Sequence, residues 1–299
     1  MQFTIPGPSD RLRAIGATQG LPQALAKALD PGDDFEPLPW PGPSDWLAVH
    51  PEAGQTYEEF VQAHGNRPDP KRGKIYLQPL GEFPPGQSPD LESLKDFAAA
   101  YFVLPVHVLP ALAVAQQSLK TRLNPISRHR QLYTGDVLAL LRARLPADAF
   151  CILAITMVDL YPDPAWNFVF GQASLTERVG VYSLARYDPA FYGERRSRDY
   201  QILLLRRSCK VLVHETSHMF GLQHCIFFKC VMNGSNHLQE SDSRPLHLCP
   251  VCLRKLQYSI GFEVVARYRQ LLTLCQRLGF SDQARWLATR LDRIPTNPG

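Results

Sequence analysis

The chain has 299 residues, 45% of them hydrophobic, and a formal net charge of +4 from 32 basic and 28 acidic side chains. That is enough apolar material for a real core, in one large domain or in one domain with appendages. The near balance of charge supplies no strong basic field of the kind that makes nucleic acid the default partner.

The longest apolar runs, residues 97–106 and 151–158, fall far short of the ~20 residues a membrane helix needs, so no span of a bilayer is expected. The first residues, MQFTIPGPSDRLRAIG, combine an early proline with scattered charges and have no apolar stretch of the secretory kind. An intracellular location is the expectation. Thiols stay reduced there, so close cysteine spacings point to metal ligands rather than disulfides.

Of the 26 prolines, 15 precede position 91, with runs such as FEPLPWPGPSDW and EFPPGQSPD that continue neither helices nor central strands. Residues 1–90 are therefore expected to form a proline-rich N-terminal appendage of short elements, with KIYLQPLG (74–81) as its one strand. From residue 91 the pattern is denser. LESLKDFAAAYF reads as a helix, VLPVHVLP as a short extended segment and GDVLALLRARLP as an amphipathic helix with leucines at helical spacing. FCILAITMVDL is a buried strand rich in β-branched residues, and WNFVFGQAS and RVGVYSLARY are two further strands. RSRDYQILLLRRSCKVLVHETSHMFG allows about seven turns of helix. Near the C-terminus, YSIGFEVVARYRQLLTLCQRLG and SDQARWLATRLDRI read as two amphipathic helices that form packing or partner surface. Helices and strands alternate without an internal repeat, so the fold class is α/β or α+β.

The chemistry concentrates in VLVHETSHMFGLQHC, residues 211–225. His214 and His218 lie four apart, on one face of a helix, where both imidazoles reach one ion, and Glu215 sits beside them, able to address a water on that ion. Gly221 stands where a glycine ends a helix in the left-handed conformation, a turn that brings back His224 as third ligand. Three neutral imidazoles with a position left for water make a catalytic zinc site rather than a structural one. The full HExxHxxGxxH fixes five positions and is far more specific than a bare HExxH. Immediately downstream, Cys225, Cys230, Cys249 and Cys252 form C-x4-C-x18-C-x2-C. Four thiolates in two close pairs suit a closed tetrahedral zinc site, and Cys225 adjoins His224, so this second ion would fix the loop that carries the third histidine.

Other candidates have plainer readings. His237 and His247 are expected to be solvated or capping. Cys151, Cys209 and Cys275 are expected in the core. Tyr133, Tyr161 and Tyr182 are each able to donate to an oxyanion, and the sequence does not choose among them.

The metzincin motif running directly into the four-cysteine arrangement, with a C-x-M between, resembles the archaemetzincin (archaelysin) family. The likeness extends from about residue 91 to about residue 291 and includes DLYPDPAWNFVFGQAS and GVYSLARYDP. It implies a zinc-dependent metallopeptidase with a metzincin-like zincin fold, a mixed twisted sheet with an active-site helix and an added four-cysteine site. Residues 91–260 would be the catalytic domain and 261–299 a helical extension packed on it. The resemblance implies two zinc ions per chain: a catalytic one on His214, His218 and His224, with Glu215 as general base, and a structural one on Cys225, Cys230, Cys249 and Cys252. Met232 falls at the Met-turn, packed beneath the histidines, and residues 178–187 would form the edge strand that pairs with substrate backbone. The sequence departs from the family inside HETSH, where Thr216 is expected to face the packed side of the helix with its hydroxyl bonded back to a carbonyl. The implied partner is a peptide or protein substrate, with no nucleic acid and no membrane, and the crowding of the site by the cysteine loop suggests an aminopeptidase-like enzyme. The alternative is an intracellular module that binds peptides, with both zinc sites stabilising the fold. A zinc-ribbon nucleic-acid binder, a third reading, lacks a basic stripe.

Overall fold

In the computed structural model, which describes residues 3–295, the proline-rich start breaks into short helices, α1 (Pro8–Ile15), α2 (Gln23–Leu29), α3 (Trp46–Val49) and α4 (Tyr57–Gln62). Their ends are set locally. At α4 the Thr56 hydroxyl accepts the Glu59 N–H at 3.2 Å, and the Glu59 carboxylate takes the Thr56 N–H at 2.7 Å, a reciprocal cap. Then come β1 (Lys74–Leu80), α5 (Leu91–Phe102), β2 (Val106–Val108), β3 (Thr121–Leu123), β4 (Arg130–Tyr133), α6 (Thr134–Ala143), β5 (Ala149–Thr156), β6 (Asp159–Tyr161), β7 (Gly171–Ala173), β8 (Val179–Ser183) and α7 (Tyr200–Met219). The chain closes with α8 (Leu238–Ser243), α9 (Pro250–Ile260), α10 (Val264–Arg277) and α11 (Ser281–Arg293). These elements form two units, residues 66–220 and residues 1–65 with 221–299.

The 66–220 unit is mixed α/β. Every residue of β5 is buried, as a near-continuous apolar run must be when parallel neighbours flank it on both sides. Its sheet has the order β2-β1-β5-β8-β7, in which β7 alone runs antiparallel. Ile152 and Ala154 of β5, with Val179 and Val181 of β8, pack against Val137 and Leu141 of α6, while α7 packs against β5, β7 and β8. A smaller sheet, β3-β4-β6, is tied by Gln131, which donates to Asp159 at 2.8 Å, and by the buried Arg186–Asp159 pair at 2.8 Å.

Residues 178–187 are expected at the edge, but β8 lies inside the sheet and β7 is the edge beside it, with β2 at the far end. The burial explains it: all five residues of β8 are buried, whereas β7 is half-buried throughout.

The other unit is helical, with α9 against α1, α2 and α4, and α10 paired with α11. Its N-terminal loops are held by buried cations from the C-terminal helices. Arg254 donates to the carbonyls of Ile15 and Ala17, each at 2.6 Å, Lys255 to the Gln55 carbonyl, and Arg290 to the Asp34 carboxylate at 2.6 Å. The expected boundaries at 90/91 and 260/261 therefore differ from those of the two units, and β1, expected in the appendage, is the second strand of the main sheet. Proline content reports that a backbone is irregular; it says nothing of which distant side chains satisfy its carbonyls. Among the described residues, no helix is long and apolar enough to cross a membrane.

Candidate active site and metal centre

Helix α7 contains no glycine or proline and keeps its register to Met219, so residues one turn apart share a face. His214 and His218 use that spacing: their Nε2 atoms stand 3.1 Å apart, with the rings at 87°. Two nitrogens each ~2.0–2.1 Å from a tetrahedral zinc lie roughly 3.3 Å apart, so the pair fits one ion. Glu215, between them in sequence, is 5% exposed. Its carboxyl lies against the edge strand, where a Cβ built on Gly171 would come 2.5 Å from Oε1. Desolvation by burial pushes the Glu215 carboxyl up to about 8, and a cation on the neighbouring imidazoles acts in the opposite sense. Thr216 does face the packed side, but its hydroxyl has no hydrogen-bond partner, nor has that of Ser217. The expected bond back to a carbonyl is absent at Thr216, so the α7 backbone keeps its own pairing.

The end of α7 follows from its sequence. Phe220 is pinned by rings from the sheet and α5, tilted against Phe150 at 4.2 Å and stacked on Phe102 at 5.6 Å. Asn66 donates to the Met219 carbonyl at 3.2 Å, and Gly221 takes a φ of +91°, the left-handed turn expected of it. In the helical unit, the residues after Gly221 meet the irregular stretch before α4. Gln55 donates to the Gly221 carbonyl at 3.3 Å and accepts the Gln223 N–H at 3.2 Å. His224 Nδ1 lies 2.9 Å from Glu52 Oε1, which also accepts Trp46 Nε1 at 2.8 Å.

The four cysteines come together as one buried cluster, their sulfurs all within 4.8 Å of one another. Cys225 and Cys249 are 3.5 Å apart, and the Cys249 N–H points at Cys230 Sγ at 3.2 Å. Four sulfurs at ~2.3 Å from one zinc would be about 3.8 Å apart, and far from the ~2.05 Å of a disulfide, so the donor set fits a closed zinc site. Burial raises the Cys225 thiol, but the hydrogen bonds of Cys230, Cys249 and Cys252 outweigh it and hold it well below the usual thiol range. Cys249 is pushed well above that range by burial and then by Cys225 and Cys230, and Cys252 by its bonds to Cys225 and Cys230. With the Cys225 thiolate formed, Cys249 and Cys252 resist ionisation until a cation compensates. Buried Met232 closes the loop through its carbonyl, which accepts the Cys225 N–H at 2.8 Å. Asn233 staples it from inside: Nδ2 donates to the carbonyls of Cys225 (2.7 Å) and Phe228 (2.9 Å), and Oδ1 accepts the Cys230 N–H at 2.7 Å.

With that geometry in place, comparison with known proteins is decisive. The model of peptidase family M54 matches residues 129–258, which include all three histidines and all four cysteines. Archaemetzincin-2 of Macaca fascicularis is 42% identical over 281 residues, 85% of this chain and 78% of that protein. This chain belongs to the archaemetzincin family. It is therefore a zinc metallopeptidase, a hydrolase whose family membership implies peptide or protein substrates. Human archaemetzincin-1 is 35% identical over 78% of this chain and 52% of its own. The crystal structure of the archaemetzincin of Methanopyrus kandleri matches 65% of this chain and 99% of its own, at 29% identity and a TM-score of 0.49.

The remaining candidates resolve individually. His237 caps α8, its Nδ1 accepting the Glu240 N–H at 3.2 Å, and with Asp45 and Glu240 it forms a third cluster of metal-ligating types. That cluster is a hydrogen-bond hub: the Glu240 carboxylate already accepts the N–H groups of Trp46 and Asn236 and pairs with Arg244. His247 stacks on Trp286 at 3.6 Å. Tyr182 is fully buried on β8, which removes it from any group a substrate touches; Tyr133 and Tyr161 lie 5.4 Å apart in the smaller sheet. Cys151, Cys209 and Cys275 are buried in the core. Glu52, Trp46, Gln55, Gly171 and Asn233 were not singled out from the sequence. Only Asn233 carried a signal, its place directly after the C-x-M.

Proposed function

We propose that this metallopeptidase hydrolyses peptide bonds at a catalytic zinc held by His214, His218 and His224, with Glu215 as general base, and that a second zinc on Cys225, Cys230, Cys249 and Cys252 is structural. The observation that carries the reading is the Glu215 carboxyl against Gly171 of the edge strand, on the same helix as two Nε2 atoms 3.1 Å apart. The third ligand rests on the motif itself, His224 following the left-handed turn at Gly221. Bound zinc supplies Lewis acidity, lowering the pKa of a water towards ~7 and polarising a carbonyl. The chain's own groups do the rest. A peptide adds to β7 by backbone pairing, since only an edge offers unpaired N–H and C=O groups. Its scissile bond is thereby brought beside Glu215, which takes a proton from water and returns it to the leaving amine.

The enzyme is read as intracellular and aminopeptidase-like. The first rests on four cysteines placed together for one ion rather than for disulfides, the second on the cysteine loop that starts directly after the third histidine. A peptide library with free and acetylated N-termini tests both specificity and mechanism. Wild type should cleave free N-termini preferentially, and Glu215→Ala should lower turnover by 10²–10⁴, the usual range for a positioned acid/base, while keeping both metals and peptide affinity. Cleavage by Glu215→Ala equal to wild type would overturn the mechanism. Peptide binding that survives His218→Ala, with no Glu215-dependent cleavage, would make the protein a binding module instead.

A further inference from the structure

The segment PEAGQ, residues 51–55, lies outside the stretch matched by the family model, yet it runs beside the turn that carries His224. Three contacts define the fit. Gln55 holds the backbone on both sides of the turn, through the Gly221 carbonyl at 3.3 Å and the Gln223 N–H at 3.2 Å, and its own Oε1 is held by buried Lys255 at 3.2 Å. Gly54, at φ +74°, lies flat against Ile226; a Cβ there would come 2.6 Å from the isoleucine side chain. Glu52 takes His224 Nδ1 at 2.9 and 3.2 Å. The carboxylate is itself fixed by the indole N–H of Trp46 at 2.8 Å, and the Trp46 ring meets the His224 ring edge-on at 5.2 Å. Trp46 in turn is wedged against Gly234, where any Cβ would fall 2.5 Å from the indole.

From these contacts we infer that Glu52 is a positioning residue for metal binding, and that residues 52–55 form a strap that presents His224 to the catalytic zinc as a preset third ligand. The inference rests on His224 being a zinc ligand, as proposed above. The physical reason lies in the imidazole's two nitrogens. A carboxylate accepting Nδ1–H fixes the tautomer in which Nε2 carries the lone pair, locks the ring orientation and makes Nε2 more basic towards a cation. Trp46 contributes by orienting the carboxylate, and Gln55 by holding the turn. The irregular N-terminal region is thus part of the metal site.

The test uses the full chain and Zn²⁺ itself. Affinity of the exchangeable zinc is measured by competition with a chromophoric chelator, and the His224 tautomer by ¹⁵N NMR of the ring nitrogens, for wild type, Glu52→Ala, Glu52→Gln and His224→Ala. Glu52→Ala should weaken zinc 10- to 100-fold, the usual cost of losing such a carboxylate, and should mix the tautomers. Glu52→Gln retains an acceptor without the charge, so it should keep the tautomer and lose less affinity. Retention of the less exchangeable zinc and an unchanged melting temperature show that the fold survives. If Glu52→Ala binds zinc as wild type does with the tautomer unchanged, or if wild-type His224 carries its proton on Nε2, the inference fails. The wild-type tautomer decides even if Glu52→Ala does not fold. If His224→Ala itself leaves zinc affinity intact, it is the ligand assignment of the proposed function that fails.

Discussion

A methyl group on residue 171 would lie 2.5 Å from Glu215 Oε1 and 2.7 Å from its Cδ, closer than non-bonded atoms approach. No left-handed φ requires glycine at this position; the neighbouring carboxyl does. Gly171→Ala should therefore displace either the Glu215 carboxyl or the edge strand and, if Glu215 is the base proposed above, lower turnover on the order of 10²-fold, the effect of a misplacement of about 1 Å, with zinc content unchanged. Turnover equal to wild type would mean that Glu215 does not act from where it lies. Gly221 is glycine for the opposite reason. Its φ of +91° is costly for any side chain, and a Cβ would also sit 3.3 Å from the Gly65 Cα. Gly221→Ala should cost about 1–2 kcal/mol, read as a lower melting temperature. The role of Gly221 is legible in the motif, because helix termination is local. That of Gly171 is not, because the atom it must avoid belongs to an element that follows far along the chain.

At the scale of elements, the loop from Cys225 to Met232 and helix α7 have different physical roles. The loop is neither helix nor strand; four sulfurs, the three hydrogen bonds of Asn233 and a few backbone bonds, such as Lys229 N–H to the Glu36 carbonyl at 2.8 Å, give it order. Cys249→Ser should therefore destabilise the protein by more than about 4 kcal/mol, the scale of losing a structural metal. Glu215→Ala, which removes a desolvated carboxyl from an otherwise complete helix, should stay within about 1 kcal/mol of wild type. Thermal melts of the two compare loop and helix directly, and equal losses would argue against separate roles. Asn233→Ala removes all three of these bonds, leaving the Phe228 carbonyl with only the Cys225 thiol at 3.9 Å, and each buried group left unpaired costs about 1–3 kcal/mol. Faster zinc loss from the cysteine site is the expected sign, and an unchanged loss rate would show that Asn233 is not needed to hold the loop.

For the whole molecule, the expectation is two zinc ions with unequal exchange. Three imidazoles and a water leave an open site, whereas four buried thiolates close one, so a chelator should strip one ion first while the fold persists. Elemental analysis along the titration checks this; one ion lost in a single step with unfolding would refute it. The sequence by itself determined the chemistry: the zinc motif, the cysteine pairs, the end of α7 at Gly221 and the buried β5. Each depends on spacings of a few residues, where helical period, a glycine or an apolar run leaves a local mark. Only the tertiary structure decided that β7 and not residues 178–187 is the edge, that Glu215 lies against Gly171, and that Glu52 faces His224. It also decided that the proline-rich start is knit to the C-terminal helices by Arg254, Lys255 and Arg290. Those contacts join residues up to 256 positions apart, and no local pattern of hydrophobicity or turn residues records which distant partner a polar group will find.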